Sequence, residues 1–232
     1  DNLNAAEARE GSVDSTATIL EIINYFKLKD GYCPSRFTYF SSSMVYGDFQ
    51  SEIATESHQK RPKEAYGTMK LAGEVVARGL AGFYDIPYTI VRPSAVYGPT
   101  DMNRRVSQIF IEKALNKQKI KVHGEDEKLD FTYIKDIAHG AILASVREEG
   151  KNEDFNITHG KAHTLLDYVN CLKAYFPDLD YEILPRDAFR PKRGTLSIEK
   201  AEKLIGYSPK YSLKEGVDEY VKFVQKHKEK LL

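Results

Sequence analysis

A run of aromatic and β-branched residues that stops on three serines constrains this chain more than any other stretch. Residues 37–47 read FTYFSSSMVYG. Phe37 to Phe40 have the make-up of a buried strand, and Ser41, Ser42 and Ser43 fall where that strand should end. Nineteen residues after Gly47 stands Tyr66, and Lys70 follows four positions later. A helix over residues 65–80 puts Tyr66 and Lys70 on one face, a turn apart. An ammonium beside a phenol favours the phenolate, so such a tyrosine exchanges protons nearer neutral pH. A serine hydroxyl at the strand end can orient the same substrate oxygen. Together these groups make a proton relay.

The remaining segments alternate between strand-like and helix-like patterns. Ser12 or Asp14 is positioned to cap a helix carrying Ile19, Leu20, Ile22, Ile23 and Phe26. The polar interval 48–63, with Pro62, reads as a surface loop. The helix from about Ala65 to Phe83 carries Leu71, Val75, Val76 and Leu80 at helical spacing. Its Gly73 and Ala77 are small enough for close contact with a neighbouring helix. Thr89 to Val91 make a short strand that Pro93 ends. A helix follows Pro99, with Asn103 or Asp101 as cap and Arg104 and Arg105 at its start. Arginines at a helix N-terminus suit bidentate phosphate recognition. KIKVHG is a short strand, Asp136 can cap the helix that runs through Ala144, and Gly206 to Pro209 stop another. A last helix runs from Leu213 to about Lys228.

Composition excludes several classes. The 232 residues suffice for one core, or one core plus a small lobe. Thirty-four basic side chains balance thirty-four acidic ones. That balance points to no nucleic-acid partner and no acidic membrane surface. No run of residues is long and apolar enough for a membrane span. Cys33 and Cys171 stand far apart without metal-type spacing, as expected of reduced thiols in a cytoplasmic protein, and no metal site is expected. Repeats and low-complexity tracts are absent.

Strand–SSSMVYG followed by AYGTMK resembles the extended short-chain dehydrogenase/reductase family, in its NAD-dependent nucleotide-sugar epimerase/dehydratase branch. YTIVRPSAVYGP resembles that family's R-P-x-x-VYGP signature, and LDFTYIKDIAHG its R-D-F-x-[HY]-V-x-D pattern. FNITHG and RDAFRPKRG…KAEKLIGYSP resemble further family segments. The resemblance implies an α/β fold: a Rossmann-like, doubly wound parallel sheet with a smaller C-terminal substrate lobe. Residues 1–100 would form the C-terminal half of the nucleotide-binding domain, with the catalytic strand and helix. Residues 101–232 would be mostly substrate lobe, with segments around 129–160 returning to the sheet. No GxxGxxG or GxGxxG turn occurs in these residues. The expectation is therefore that about 70 to 90 residues of the family pattern lie upstream, judged from the size of βαβ units.

The resemblance also implies site residues. Ser42, Tyr66 and Lys70 would be catalytic, with Ser43 the alternative serine. Tyr66, Lys70 and Pro93 would meet the nicotinamide cofactor, NAD or NADP. Ser43, Arg105, Arg190 and Arg193 would bind substrate, with the choice between Arg190 and Arg193 for phosphate left open. Leu129 stands where many members carry a phosphate-binding arginine. Family 4,6-dehydratases carry an acidic pair where this chain has Ser43 and Met44, and a thioether moves no proton. The expected activity is that of a nucleotide-sugar epimerase. A reductase, dehydrogenase or dehydratase of the same family, or a non-catalytic binding protein on this fold, is the alternative. The partner would be a nucleotide-sugar, and the assembly a homodimer.

Overall fold

The computed structural model describes residues 4–101, 103 and 105–227. The expected contribution of Arg104 and the last helix's end at Lys228 lie outside them. Helix formation starts at Asn4, whose Oδ1 accepts the Glu7 N–H at 2.9 Å while Glu7 Oε2 accepts the Asn4 N–H at 3.2 Å. This reciprocal box opens α1 (Ala5–Arg9), which continues through a π-turn (Glu10–Asp14) into α2 (Ser15–Asp30). Ser12 and Asp14 are therefore not caps but interior residues of one helical run. The Asn4–Glu7 box and the alanine-rich AAEAR stretch favour an earlier start.

Next come β1 (Phe37–Phe40), a 3₁₀ turn (Ser43–Tyr46), β2 (Ile53–Ala54), α3 (Ala65–Phe83), β3 (Tyr88–Arg92), β4 (Val96–Tyr97) and α4 (Val106–Leu115). They are followed by β5 (Ile120–His123), β6 (Lys128–Leu129), β7 (Thr132–Tyr133), α5 (Ile134–Val146), β8 (Glu153–Asn156), β9 (His163–Thr164) and α6 (Leu165–Lys173). The chain closes with β10 (Tyr181–Leu184), β11 (Thr195–Leu196), α7 (Glu199–Ile205) and α8 (Leu213–Lys226).

The central sheet is all parallel, in the order β1-β3-β8. Side chains alternate across it as the period of a strand requires. Tyr39 and Ile90 pack on Ala77 of α3, whereas Val91 and Phe155 pack on Ile137 and Ala144 of α5 and Ala201 and Ile205 of α7. Helices thus cover both faces, the Rossmann-like arrangement expected of a parallel sheet. A separate apolar cluster joins α4, β5, α6 and α8 around Phe110, Ile120, Tyr168, Val221 and Tyr220. There β5 and β10 form a parallel pair.

The interval 48–63 is more than a surface loop. Ile53 and Ala54 pair with Thr195 and Leu196, and Ala54 and Glu56 are buried. Asp136 does not cap α5, whose N-cap residue is Tyr133. Its carboxylate instead accepts the Lys210 and Tyr211 N–H groups at 2.9 and 3.0 Å, tying α5 to the approach of α8. Neither Asp101 nor Asn103 caps α4, whose N-cap residue is Arg105 without a side-chain cap; Asp101 instead orders the approach by accepting the Asn103 and Arg105 N–H groups at 3.1 and 3.3 Å.

Gly73 and Ala77 are occupied within the chain. Ala77 is buried against the sheet. A Cβ on Gly73 would overlap the Tyr39 hydroxyl and lie 2.5 Å from the Ser12 carbonyl oxygen. That carbonyl, in the π-turn, accepts from Thr16 Oγ1 at 2.8 Å and from the Tyr39 hydroxyl at 3.5 Å. Gly73 therefore lets this turn and β1 close on α3. Gly73→Ala should cost about 1–3 kcal/mol of stability, the usual range for overpacking. Urea denaturation of the two proteins measures it.

Candidate active site

The parallel strands end together at one edge, where Ser41 N–H donates to the Val91 carbonyl at 2.8 Å and Ser43 N–H to the Pro93 carbonyl at 2.9 Å. The three serines then diverge. Ser41 Oγ donates to Glu74 Oε1 at 2.6 Å and is buried. Ser43 is 1 % exposed, so its hydroxyl is enclosed by protein. Ser42 is the cap of the 3₁₀ turn, and its Oγ accepts the Met44 N–H at 3.2 Å. With that oxygen already accepting, the Ser42 O–H is left as a donor to the Tyr66 hydroxyl.

Tyr66 reaches Ser42 because the first turn of α3 sits directly on the 3₁₀ turn. A Cβ on Gly67 would stand 2.6 Å from the Met44 carbonyl oxygen. Glu64 caps the helix by accepting the Tyr66 N–H at 3.1 Å and the Gly67 N–H at 2.6 Å. A carboxylate is well placed there, at the positive end of the helix dipole. Lys70 lies one turn on, as the spacing requires. Its Nζ donates to the Phe40 carbonyl at 2.9 Å and stands 5.8 Å from the Tyr66 ring centre and 5.4 Å from that of Tyr39.

The electrostatics differ from the simple expectation that Lys70 draws the phenol down. Burial raises the Tyr66 pKa above the ordinary phenol value; the Ser42 hydroxyl and the Arg105 charge lower it, and Glu64 raises it. Burial likewise lowers the Lys70 pKa. The ammonium is hydrogen-bonded to the strand end and lies over the ring. In the protein by itself Tyr66 is therefore a neutral hydroxyl, ready to donate.

The expected substrate residues separate into two groups. Arg105 is exposed and paired with Asp101 at 2.9 Å, and its charge reaches Tyr66. Arg190 is exposed and faces Asp187 at 3.4 Å. Arg193 is different. Its Nε is buried without a hydrogen-bond partner among the described residues. Burial and the neighbouring Arg190 charge push its pKa down to about 10. It lies between two cavities, of about 680 and 590 Å³, which it shares with Lys192. Neither cavity is lined by Ser42, Tyr66 or Lys70. Leu129 is buried in the lobe core and has no role there.

Glu64, Gly67, Glu74 and Arg92 were not among the expected residues. Glu74 could have been suspected, because it interrupts the small, apolar stripe of Gly67, Ala77 and Ala81 with a charge.

A parallel sheet flanked by helices, with serine, tyrosine and lysine gathered at its carboxyl edge, is the arrangement of short-chain dehydrogenase/reductase proteins. The chain belongs to the NAD dependent epimerase/dehydratase family, whose model matches residues 2–158. A Methanocaldococcus jannaschii protein provisionally named UDP-glucose 4-epimerase is 30 % identical, covering 96 % of this chain and 74 % of its own length. The UDP-glucose 4-epimerase of Halalkalibacterium halodurans is 25 % identical, and the alignment covers 92 % of this chain and 68 % of that enzyme. Among solved structures, UDP-glucuronic acid 4-epimerase from Bacillus cereus, in complex with UDP-glucuronic acid and NAD, superposes with a TM-score of 0.84. It is 26 % identical, and the match covers 93 % of this chain and 67 % of that one.

The Tyr66 titration gives a direct test of this site. A phenol whose pKa the fold raises contributes stability that is fully present below the unfolded value of about 10 and is lost as pH rises through the folded value. Ser42→Ala removes a group that lowers the Tyr66 pKa. Its tyrosinate signal, assigned by its loss in Tyr66→Phe, should move to higher pH in a ¹³C-tyrosine NMR titration. Movement to lower pH would show that Ser42 does not bond this phenol.

Proposed function

We propose that this chain carries the catalytic edge and substrate lobe of an NAD(P)-dependent nucleotide-sugar epimerase. The observation that carries the reading is the gathering of Ser42, Tyr66 and Lys70 at one strand end, with the Ser42 hydroxyl bonded to the Tyr66 phenol and both placed to share a substrate oxygen. The residues present fit the nicotinamide end of the cofactor. Lys70 Nζ makes one hydrogen bond here and has further donors for a ribose, and Pro93 stands at the adjoining strand end. A nicotinamide held there would supply reversible hydride exchange with a sugar carbon. Tyr66 would accept the proton of the sugar hydroxyl as that carbon is oxidised and give it back on reduction. Ser42 would hold the same oxygen in line, and Lys70 would favour the phenolate stage.

Reversible oxidation at one carbon is favoured over loss of water. Elimination needs a further acid and base, and Ser43 and Met44 supply neither. Glu64 is the carboxylate that bears on Tyr66, and both its oxygens are spent on backbone N–H groups. Given NAD and a set of nucleotide-sugars, the protein should yield a product of the same mass as its substrate. A product lighter by one water, seen by mass spectrometry, would establish a dehydratase instead. Tyr66→Phe should lower turnover by roughly 10² to 10⁴, the scale of a lost acid/base group.

We assign the relay and nicotinamide contacts to residues 1–100 and the sugar-nucleotide contacts mainly to residues 101–232. Between the candidate arginines we choose Arg193 for the diphosphate, since an anion would satisfy its buried Nε and offset its unbalanced charge. Arg193→Met should weaken binding of a nucleoside diphosphate by about tenfold or more, and Arg190→Met by less than about twofold. Equal losses in a calorimetric titration would count against the choice. Arg105 stands on the Tyr66 side of the opening, where it would serve the sugar rather than the diphosphate.

Two further features belong to this reading. α2 exposes Ile19, Ile22, Tyr25 and Phe26, and α3 exposes Val75 and Phe83, the latter 82 % accessible. Such a face suits a symmetric homodimer joined through α2 and α3. Its contacts are these side chains, because Gly73 and Ala77 are used internally. Light scattering at micromolar concentration should give twice the chain mass, and a monomer would remove the assignment. No helix among the described residues is long and apolar enough to cross a membrane. Together with the free thiols of Cys33 and Cys171 this supports a cytoplasmic location, which cell fractionation checks.

A further inference from the structure

A buried ion pair lies one turn behind the relay and takes no part in the chemistry described above. Glu74 is 2 % exposed and Arg92 is fully buried. Arg92 Nε donates to Glu74 Oε1 and Nη2 to Oε2, both at 2.7 Å, a two-pronged clasp. The other prong, Nη1, reaches Asp154 at 2.6 Å and the Tyr46 hydroxyl at 3.0 Å. Arg78 bridges Glu74 and Asp154 from the helix side, at 3.6 and 3.3 Å. For stability alone such a pair is a poor choice, since well-packed apolar residues often serve a core as well or better. Its value must lie in what its geometry fixes.

Three elements meet on this one carboxylate. Glu74 stands one turn beyond Lys70 on α3. Ser41, whose hydroxyl donates to Glu74 Oε1 at 2.6 Å, is the neighbour of Ser42 at the end of β1. Arg92 ends β3 next to Pro93, whose carbonyl holds the Ser43 N–H. The helix that carries Tyr66 and Lys70 is thus referenced, through a single buried group, to both strand ends that frame the opening. We propose that Glu74, held by Arg92 and read out through Ser41, is a positioning residue that sets the separation of the Ser42 hydroxyl from the Tyr66 hydroxyl. It touches no substrate; it fixes the register of the two groups that do. The inference rests on the relay assigned above.

The discriminating variant is Ser41→Ala. It leaves the Glu74–Arg92 clasp and the backbone bonds of the serine run in place and removes only the strand's hold on Glu74. The groups that act on Tyr66 directly (Ser42, Arg105 and Glu64) are unchanged. Loosening Ser42 withdraws its lowering effect, so the Tyr66 ¹³C signal should titrate at higher pH than in the wild-type protein, in the same direction as Ser42→Ala. Ser41→Thr, which keeps the hydroxyl, should restore the wild-type titration. In turnover, Ser41→Ala should lower kcat by about tenfold with KM within about twofold, the pattern of a displaced reacting group rather than of lost binding. A Tyr66 titration unmoved by Ser41→Ala overturns the proposal, whatever happens to the melting temperature. Because the titration needs neither cofactor nor substrate, it decides the matter even if the full-length protein turns over no nucleotide-sugar.

Discussion

The closeness of α3 to the strand end is the constraint on which the site depends. Two backbones approach there without a side chain between them, Gly67 over the Met44 carbonyl, and a second glycine, Gly73, closes the same helix on β1. Any larger residue at Gly67 would push Tyr66 away from Ser42. The first turn cannot retreat freely, because Glu64 holds its N–H groups and Lys70 is bonded to the Phe40 carbonyl. Helix, strand and turn form one rigid corner, which suits a relay that tolerates little displacement.

Burial has an opposing consequence at that corner. The low-dielectric setting that fixes Tyr66 also disfavours its phenolate and the Lys70 ammonium. Ser42 and Arg105 work against that trend for Tyr66. The protein alone therefore presents a donor, and proton abstraction needs added stabilisation of negative charge when the site is filled. A Lys70 Nζ that turns from the Phe40 carbonyl toward the phenol oxygen would supply it.

Much of this was legible in short stretches of sequence. The strand, the serine run, the Tyr66–Lys70 spacing and the apolar stripe of α3 each follow from patterns spanning a few residues. What local patterns missed are contacts between distant residues. Ser41 meets Glu74 from 33 positions away, and Tyr46 meets Asn156 from 110. The two-residue pairing of Ile53–Ala54 with Thr195–Leu196 is too short to leave a strand signature. The small size of Gly73 and Ala77 is visible in sequence as room for a close neighbour, whereas the identity of that neighbour is not: Tyr39 and the Ser12 carbonyl of the π-turn close on Gly73, and the sheet on Ala77. Helix starts failed for a related reason. Ser12 and Asp14 are good capping types, but an Asn-x-x-Glu box a turn or more upstream competes with them and wins. The choice between Arg190 and Arg193 turns on burial, to which spacing is blind.

The segment carrying Arg193 is tied to the relay's own turn. Asp48, directly after the VYG tripeptide, accepts the Lys192 N–H at 2.7 Å and pairs with Lys63 at 2.9 Å; Phe49 N–H donates to the Lys192 carbonyl at 2.9 Å. On the lobe side, Arg186 pairs with Glu127 and donates to the Arg190 carbonyl at 2.6 Å. Further back, buried Asp130 accepts from Leu196 N–H, His159 N–H and Thr158 Oγ1 at 3.1 to 3.2 Å, fixing β11 to the turn after β8. Arg193, the arginine proposed for the diphosphate, is thereby anchored on both sides, to the lobe and to the stretch that follows Ser42. Residues adjacent to the relay thus also hold Arg193, so under the proposed assignment a bound diphosphate would define where the sugar lies relative to Tyr66. Positioning of the reacting carbon can then be drawn from binding energy at a distance from it.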